Sequence, residues 1–553
     1  MKFSKTLLAG VAALALVACG KKDEASPETA TSVEAAKTSA SSPLNKAFRL
    51  QGAEEVDIDA FFALLPESKR PTYESASFDS KIGATVLSNL RFADADDGEA
   101  LLVERAEFYG LDLDAIERIK SATDATPSAP FETVFQKVRL LNVSAEGFDE
   151  EEGKFSIGGV ELDQLAVRQG GGEGDHTGND AARFFNSFNL AGLYFKDISF
   201  DAAKPDSPAV EMSAPDLRIV GLGGGKLQAV IANDVEYRVS HTDETLMAMA
   251  ASMGPEGSML LNSPLRALIA PENQRVVMKS MEWRGIDLSG LMEWGLKGEE
   301  PPVSERNLID FGTMKAVDME TYIGAKRAAV VKEATVSAAE FTWLIPSKIR
   351  TDTKGATYDF TAYAADEDTE ILSILKKHGL NKVTGDGYAE WIWNPESGSG
   401  DLEYATKTKG LGDFSMGFAL GGLKLKDIGE AKADGEENAA ASLTTFKNFN
   451  LKIVDQKALD AIFDLAALQM GGTGDDLRQS APAMIRLSGA QFAQMNPRFT
   501  DYVNAVANFV AEGGTLEINA EPEEPVGLAD LQAGAINPMA LPDTLNLTVT
   551  HKK

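Results

Sequence analysis

Glu107-Phe108-Tyr109-Gly110-Leu111-Asp112-Leu113 is a phrase the chain writes twice, returning 175 residues later as Glu282-Trp283-Arg284-Gly285-Ile286-Asp287-Leu288. A looser copy, Phe195-Lys196-Asp197-Ile198-Ser199-Phe200, lies between them. Its core, apolar-Asp-apolar, recurs at Val56-Asp57-Ile58 and Val317-Asp318-Met319. The physical reading is a strand that ends, a glycine that permits a tight bend, and an acid that accepts orphan amide protons at a helix start. Asp114 with Glu117 has the spacing of a capping box. The same aspartates could be ligands or acids, but a catalytic site is needed once, so repetition favours caps.

A second correspondence, offset by 55 residues, aligns Val143, Phe155, Ile157 and Leu162 with Ile198, Val210, Met212 and Leu217. Alternating runs surround it, among them Lys154-Phe155-Ser156-Ile157, Leu217-Arg218-Ile219-Val220, Thr515-Leu516-Glu517-Ile518 and Leu545-Asn546-Leu547-Thr548-Val549. Such alternation predicts half-buried antiparallel strands, with Asp97-Gly98 and Glu152-Gly153 as hairpin tips. Equivalent apolar residues of successive units are expected on one continuous sheet face. Large exposed apolar patches are rare, so helices within 242–265 and 458–511 are the expected covers. Leu459, Ile462, Leu465 and Leu468 stripe a helix from Ala458 to Met470. A later helix opens at Asn496-Pro497, carries Phe499, Val503, Val506 and Phe509 on one face, and stops at Gly513-Gly514. The predicted fold class is α+β: β-dominated, elongated, with a mostly antiparallel sheet built from repeated strand-helix units. The repeated region is expected over 47–335 and a C-terminal β/helix region over 336–553.

The N-terminus reads differently. Lys2 and Lys5 precede an apolar run from Leu7 to Val17, and Leu16-Val17-Ala18 leads into Cys19, the chain's only cysteine. A basic head, a short apolar run and small residues mark a cleaved signal, since a membrane span needs about 20 apolar residues. The segment resembles a bacterial lipobox. That resemblance implies a signal peptide over 1–18 and diacylglycerol on the sulfur of Cys19. Residues 20–46 contain no aromatic side chain and are rich in Ser, Thr, Ala, Glu and Lys. Such a segment cannot repay its ordering entropy, so 19–46 reads as a lipidated cysteine and its tether. Gly20, rather than Asp, follows the cysteine. By the sorting rule of enteric lipoproteins this implies the outer membrane, with the body facing the periplasm. The net charge of −31 argues against nucleic acid, which is bound through Lys and Arg. It also argues against adsorption to anionic lipid heads, leaving the acyl chains as the membrane contact. A single cysteine excludes an internal disulfide and a cysteine-based zinc site.

Little in the chain spells chemistry. His176, His241, His378 and His551 are dispersed, with no second ligand at metal spacing. Gly221-Leu222-Gly223-Gly224-Gly225-Lys226 follows a strand and invites a phosphate-loop reading, but the spacing fails and Leu227 stands where Ser or Thr is required, so a hairpin or loop is the better reading. Ser397, Ser399 and Ser415 lack the frame of a nucleophile elbow. The acidic runs 94–99 and 149–152 read as solvated turns rather than calcium loops. Trp391 and Trp393 share one face of a strand, as core or sheet cover. Apart from lipidation at Cys19, no catalytic, cofactor or metal residue is expected.

The C-terminal third carries a further resemblance. Phe446 to Val454, Asp455, the helix to Met470, Asn496-Pro497, Thr515 to Ile518, Glu521-Pro522, Pro525-Val526, Asn537-Pro538 and Leu545 to Val549 are together similar to the C-terminal part of a group of uncharacterised alphaproteobacterial envelope proteins. The strand repeats look more loosely like AsmA-type envelope proteins, which implies a long sheet curled into a lipid-holding groove. Neither resemblance supplies functional residues. The expected function is a non-enzymatic envelope scaffold or assembly factor acting on a protein partner. The alternatives are a lipid-binding or lipid-transfer module with an apolar groove, and a hydrolase whose site has no motif. A filled core with a flat polar surface favours the scaffold, and an open groove lined only by apolar side chains favours lipid.

Overall fold

The alternating runs become long antiparallel strands. The computed structural model of the chain describes residues 46–65, 70–93, 100–122, 129–146, 154–169, 180–202, 207–252, 273–363, 369–427, 430, 443–528, 530–531 and 539–553. Cys19 and all residues before 46 lie outside this set, as do His176, both expected hairpin tips, the two acidic runs, Asn537-Pro538 and the 253–265 part of one expected cover. The chain divides into two compact units.

In the first unit, eight strands pair antiparallel in chain order. They are β1 (Ser75–Asp79), β2 (Ala84–Ala93), β3 (Ala100–Tyr109), β4 (Phe131–Glu146), β5 (Lys154–Arg168), β6 (Phe188–Ala202), β7 (Ala209–Gly223) and β8 (Lys226–Ser240). β9 (Asn273–Asp287) follows. The helices are α1 (Ile58–Ala63), α2 (Leu113–Ser121), α3 (Asp180–Asn186), α4 (Asp243–Ser252) and α5 (Ser289–Lys297).

The strands do not alternate with a plain period of two. Buried residues fall at Phe135, Val138, Leu140 and Val143 in β4, at Ile157, Val160, Leu162 and Leu165 in β5, and at Leu190, Leu193, Phe195 and Ile198 in β6. Steps of two and three therefore take turns. Within three-residue steps lie residues with left-handed backbone: Asn142 at φ 54°, Gln164 at φ 46° and Asp197 at φ 50°. One such residue shifts the inside-outside alternation by one place, and Asn and Asp tolerate that conformation best. Asn142 and Asp197 are themselves 55 residues apart, so the repeat seen in sequence is a repeat of this kink. The kinks keep apolar rows in line across the sheet. Val143, Ile157, Ile198 and Ala214 are successive cross-strand partners, as are Val138, Leu162, Leu193 and Ile219. The expected continuous face is present, and one core runs along it from Ile58 to Val235. It is sealed where α1 and α2 lie, with Phe61, Ile116 and Ile119 at 0% exposure, but Met212 near the other end is 39% exposed.

In the second unit, β10 (Thr313–Ile323), β11 (Lys326–Thr342), β12 (Ile345–Asp359), β13 (Lys382–Asn394), β14 (Ser399–Lys409), β15 (Gly412–Gly421), β16 (Thr445–Asp455), β17 (Gly514–Ala520), β18 (Val526–Gly527) and β19 (Leu547–Lys552) accompany α6 (Glu370–His378), α7 (Ala458–Met470), α8 (Gly474–Met495), α9 (Arg498–Glu512) and α10 (Leu541–Thr544). Neighbours pair antiparallel from β10 to β17, β19 pairs with β17, and β18 caps the end of β16. The β-dominated antiparallel α+β class is thus the observed one. α9 lays Ala505 and Phe509 on Leu516, with Ile453, Leu459 and Val549 around them.

Several sequence expectations change in detail. On α7 the buried residue is Ala461, packed with Leu380 and Val383. Ile462 and Leu468, expected inside, face solvent. On α9 the buried residues are Tyr502, Ala505, Ala507 and Phe509; of the expected stripe, Val506 joins Phe509 in one cluster, while Val503 lies against Gly489 of α8. The last strand starts at Leu547, since α10 and the left-handed Asn546 occupy the preceding residues. Asp112 caps α2 by accepting from the Ala115 amide at 2.8 Å. This places Asp114 inside the first turn, so its capping box with Glu117 does not form. Asp57 caps α1 in the same way, through the Ala60 amide at 2.9 Å. Asp197 and Asp318 lead into no helix and sit within β6 and β10 as left-handed kinks.

Candidate functional site

Two sequence features, the glycine-rich stretch and the second copy of the repeated phrase, meet in the first unit. Gly223 and Lys226 close β7 onto β8. Gly224 and Gly225 form the tip with φ of 56° and 77°, the signature of a primed two-residue hairpin. The tip rests on the start of α5: the Leu288 amide donates to the Gly225 carbonyl at 2.7 Å. A side chain at Gly225 would run into Met292 and the Ser289 backbone, so the close approach requires glycine.

Asp287 completes the joint. Its Oδ1 accepts from the Ser289 amide at 2.9 Å and from Ser289 Oγ at 2.5 Å. Its Oδ2 pairs with Lys226 Nζ at 2.9 Å. Asp287 thus stands one residue before the helix-capping position, which Leu288 occupies without a side-chain bond. Burial pushes its carboxyl up, but the bonds from Ser289 and Lys226 outweigh burial and hold it below the ordinary aspartate range. A depressed carboxyl contributes stability that is complete above the unfolded value and is lost as pH falls through the folded one. Asp287→Asn is therefore expected to be less stable than wild type at neutral pH. The gap should narrow as pH drops below about 4. Unfolding curves across that range check this, and a gap that widens on acidification would contradict it.

Beneath this joint lies a cavity of about 840 Å³. Phe185 of α3 and Leu222 and Leu227 of the hairpin line one side, and Ile286, Leu291, Met292 and Trp294 line the other. The charged residues at its lining are Lys226, Glu299 and Glu300. An apolar cavity of about 300–1,000 Å³ with few polar groups is the usual form of a small-ligand site.

The first copy of the phrase shows what fills the equivalent place elsewhere. At the same offset, Leu291 and Trp294 of α5 correspond to Ile116 and Ile119 of α2. Those isoleucines are at 0% exposure. There the neighbouring space is taken by α1, whose Phe61 and Phe62 pack against Phe108 with ring centroids 6.2 and 6.4 Å away. α5 has no fully buried residue. The same phrase therefore builds one filled core and one open one.

The opposite face of the same sheet carries buried charge. Glu161, 1% exposed, accepts from Lys137 Nζ at 2.5 Å and from Arg139 Nε at 2.7 Å. Glu107 accepts from Arg105 and from the Tyr109 hydroxyl, both at 2.7 Å. Asp216 pairs with Arg218 at 2.7 Å. Burial first, then Asp163 and Glu161, push the Tyr194 phenol up to about 12, so it does not ionise near neutral pH. Each of these three acids has a cation beside it. The Glu161 group clamps β4 to β5, while the other two pairs form within β3 and within β7.

The remaining candidates stay apart. His378 Nε2 lies 2.6 Å from Asp464, at the end of α6. His551 Nε2 lies 2.7 Å from the Gly513 carbonyl, and His241 sits between β8 and α4. Among the described residues no group of three His, Cys, Asp or Glu gathers as a metal site. Trp393 is buried and donates to the Leu423 carbonyl at 2.8 Å. Ser397 and Ser399 meet at a turn, and Ser415 lies within β15. The cavity itself escaped sequence reading.

A family model described only as an uncharacterized protein matches residues 405–552. The match spans β14 into β19 of the second unit and contains the whole stretch from Phe446 to Val549 in which the C-terminal resemblance was seen; the cavity lies outside it. No curated protein matches the chain.

Proposed function

We propose that this protein is a lipid-anchored envelope protein that binds one acyl chain in the cavity under α5 and catalyses no reaction. The observation that carries the reading is the open seat beneath Leu291 and Trp294, where the first copy of the phrase is filled by packed side chains. Apolar lining suits an apolar ligand, because each methylene removed from water contributes about 0.8 kcal/mol. This favours the lipid-binding alternative over the scaffold, for which a fully covered face would have been the support. Anchoring rests on the lipobox-like residues ending at Cys19, and the outer membrane on Gly20. No helix among the described residues is long and apolar enough to cross a membrane. Native mass spectrometry of gently purified Cys19→Ser protein tests the reading, because that variant has no acyl anchor of its own. One acyl lipid per chain is the expected result. Protein free of lipid, and unable to take one up when offered it, would refute the proposal.

A further inference from the structure

We infer that the cavity under α5 seats an acyl chain of the protein's own lipid-modified Cys19. The inference rests on the acyl-binding and anchoring readings of the preceding subsection and adds the source of the chain. The first support is where the described chain begins. The Lys46 carbonyl accepts from Arg139 Nη2 at 2.9 Å, and Phe48 packs edge-on against Tyr109 at 5.0 Å. The N-terminal segment therefore meets the first unit at β4. From Arg139 the register runs through Glu161 and Tyr194 to Arg218, three strand spacings of about 4.8 Å. From Arg218 to Gly223, at the cavity, is five residues along β7 at about 3.3 Å each. In the plane of the sheet the separation is on the order of 20–25 Å, and because Arg139 lies on the face opposite the core and the cavity, the path must also pass around the sheet. The 27 residues from Cys19 to Asn45 can span up to roughly 90 Å when extended. That length exceeds the in-plane distance and leaves enough to pass around the sheet. A ligand on such a linker acts at an effective concentration on the order of millimolar.

The second support is charge. Glu299 and Glu300 stand at the lining, and Lys226 is already paired with Asp287. An anionic phospholipid head would meet two carboxylates with no unpaired lysine in the lining. The glyceryl thioether expected on Cys19 brings no charge to them.

The test compares full-length acylated protein with Cys19→Ser, in the same detergent below its micelle concentration. The probe is a fluorescent monoacylglycerol, neutral like the proposed occupant. Cys19→Ser should bind one probe per chain, and the acylated protein should bind it at least tenfold more weakly. Equal binding by both would overturn self-occupancy while leaving the acyl cavity standing. Stoichiometric free phospholipid on the acylated protein would overturn it as well and assign the cavity to membrane lipid. No binding by either protein would refute the acyl cavity and, with it, this inference.

Discussion

Glu161→Ala is expected to lower the unfolding free energy by about 3–5 kcal/mol, the usual cost of removing one partner from a buried ion pair. The carboxylate joins Lys137 and Arg139, and its side chain is 1% exposed while theirs are 7% and 10% exposed. Its loss strands two cations where water reaches them poorly, with only Lys137 keeping a second acid, Asp163 at 3.1 Å. Glu161→Gln tells charge from shape: it keeps the volume and removes the ionic bonds, so most of the loss should remain. Denaturant unfolding measures both. A loss below about 1 kcal/mol, the range of exposed pairs, would show that the clamp is solvated.

Ile116→Ala is expected to cost about 2–5 kcal/mol, because it empties a close-packed site. Leu291→Ala, its counterpart in the second copy, should cost no more than about 1 kcal/mol. Leu291 is only half-buried and already borders open space, so its truncation enlarges a cavity instead of creating one. The same denaturant series decides between them. Equal losses at the two positions would mean that the second copy is as tightly packed as the first.

Much of the fold was legible because its signals are local. Asp57 and Asp112 cap helices, as an acid before an apolar-periodic run should. Gly224-Gly225 makes a hairpin, one of the two readings, hairpin or loop, left once the phosphate-loop spacing failed. The equivalence of Val143 with Ile198 is a row in the sheet. What escaped was what depends on backbone handedness or on distant partners. A period of two cannot reveal that Asn142 and Asp197 turn left-handed and reset the alternation. Asp318 reads like Asp112, yet its chain continues as β10, where it pairs with Lys332. Ile462 and Leu468 form a plausible stripe, but α6 and the adjoining strand take the neighbouring face of α7 through Ala461. The cavity is the extreme case. Leu291 and Trp294 are as apolar as Ile116 and Ile119, but α3 beside α5 leaves open the space that α1 fills in the first copy.

The central claim is that this space receives an acyl chain. Calorimetric titration of Cys19→Ser protein with a monoacylglycerol, alongside Cys19→Ser carrying Leu291→Trp to fill the cavity, tests it most directly. The account predicts one site per chain with a negative heat-capacity change, as burial of apolar surface requires, and loss of that site in the filled variant. Absence of binding to Cys19→Ser, or equal binding to the filled variant, would contradict it.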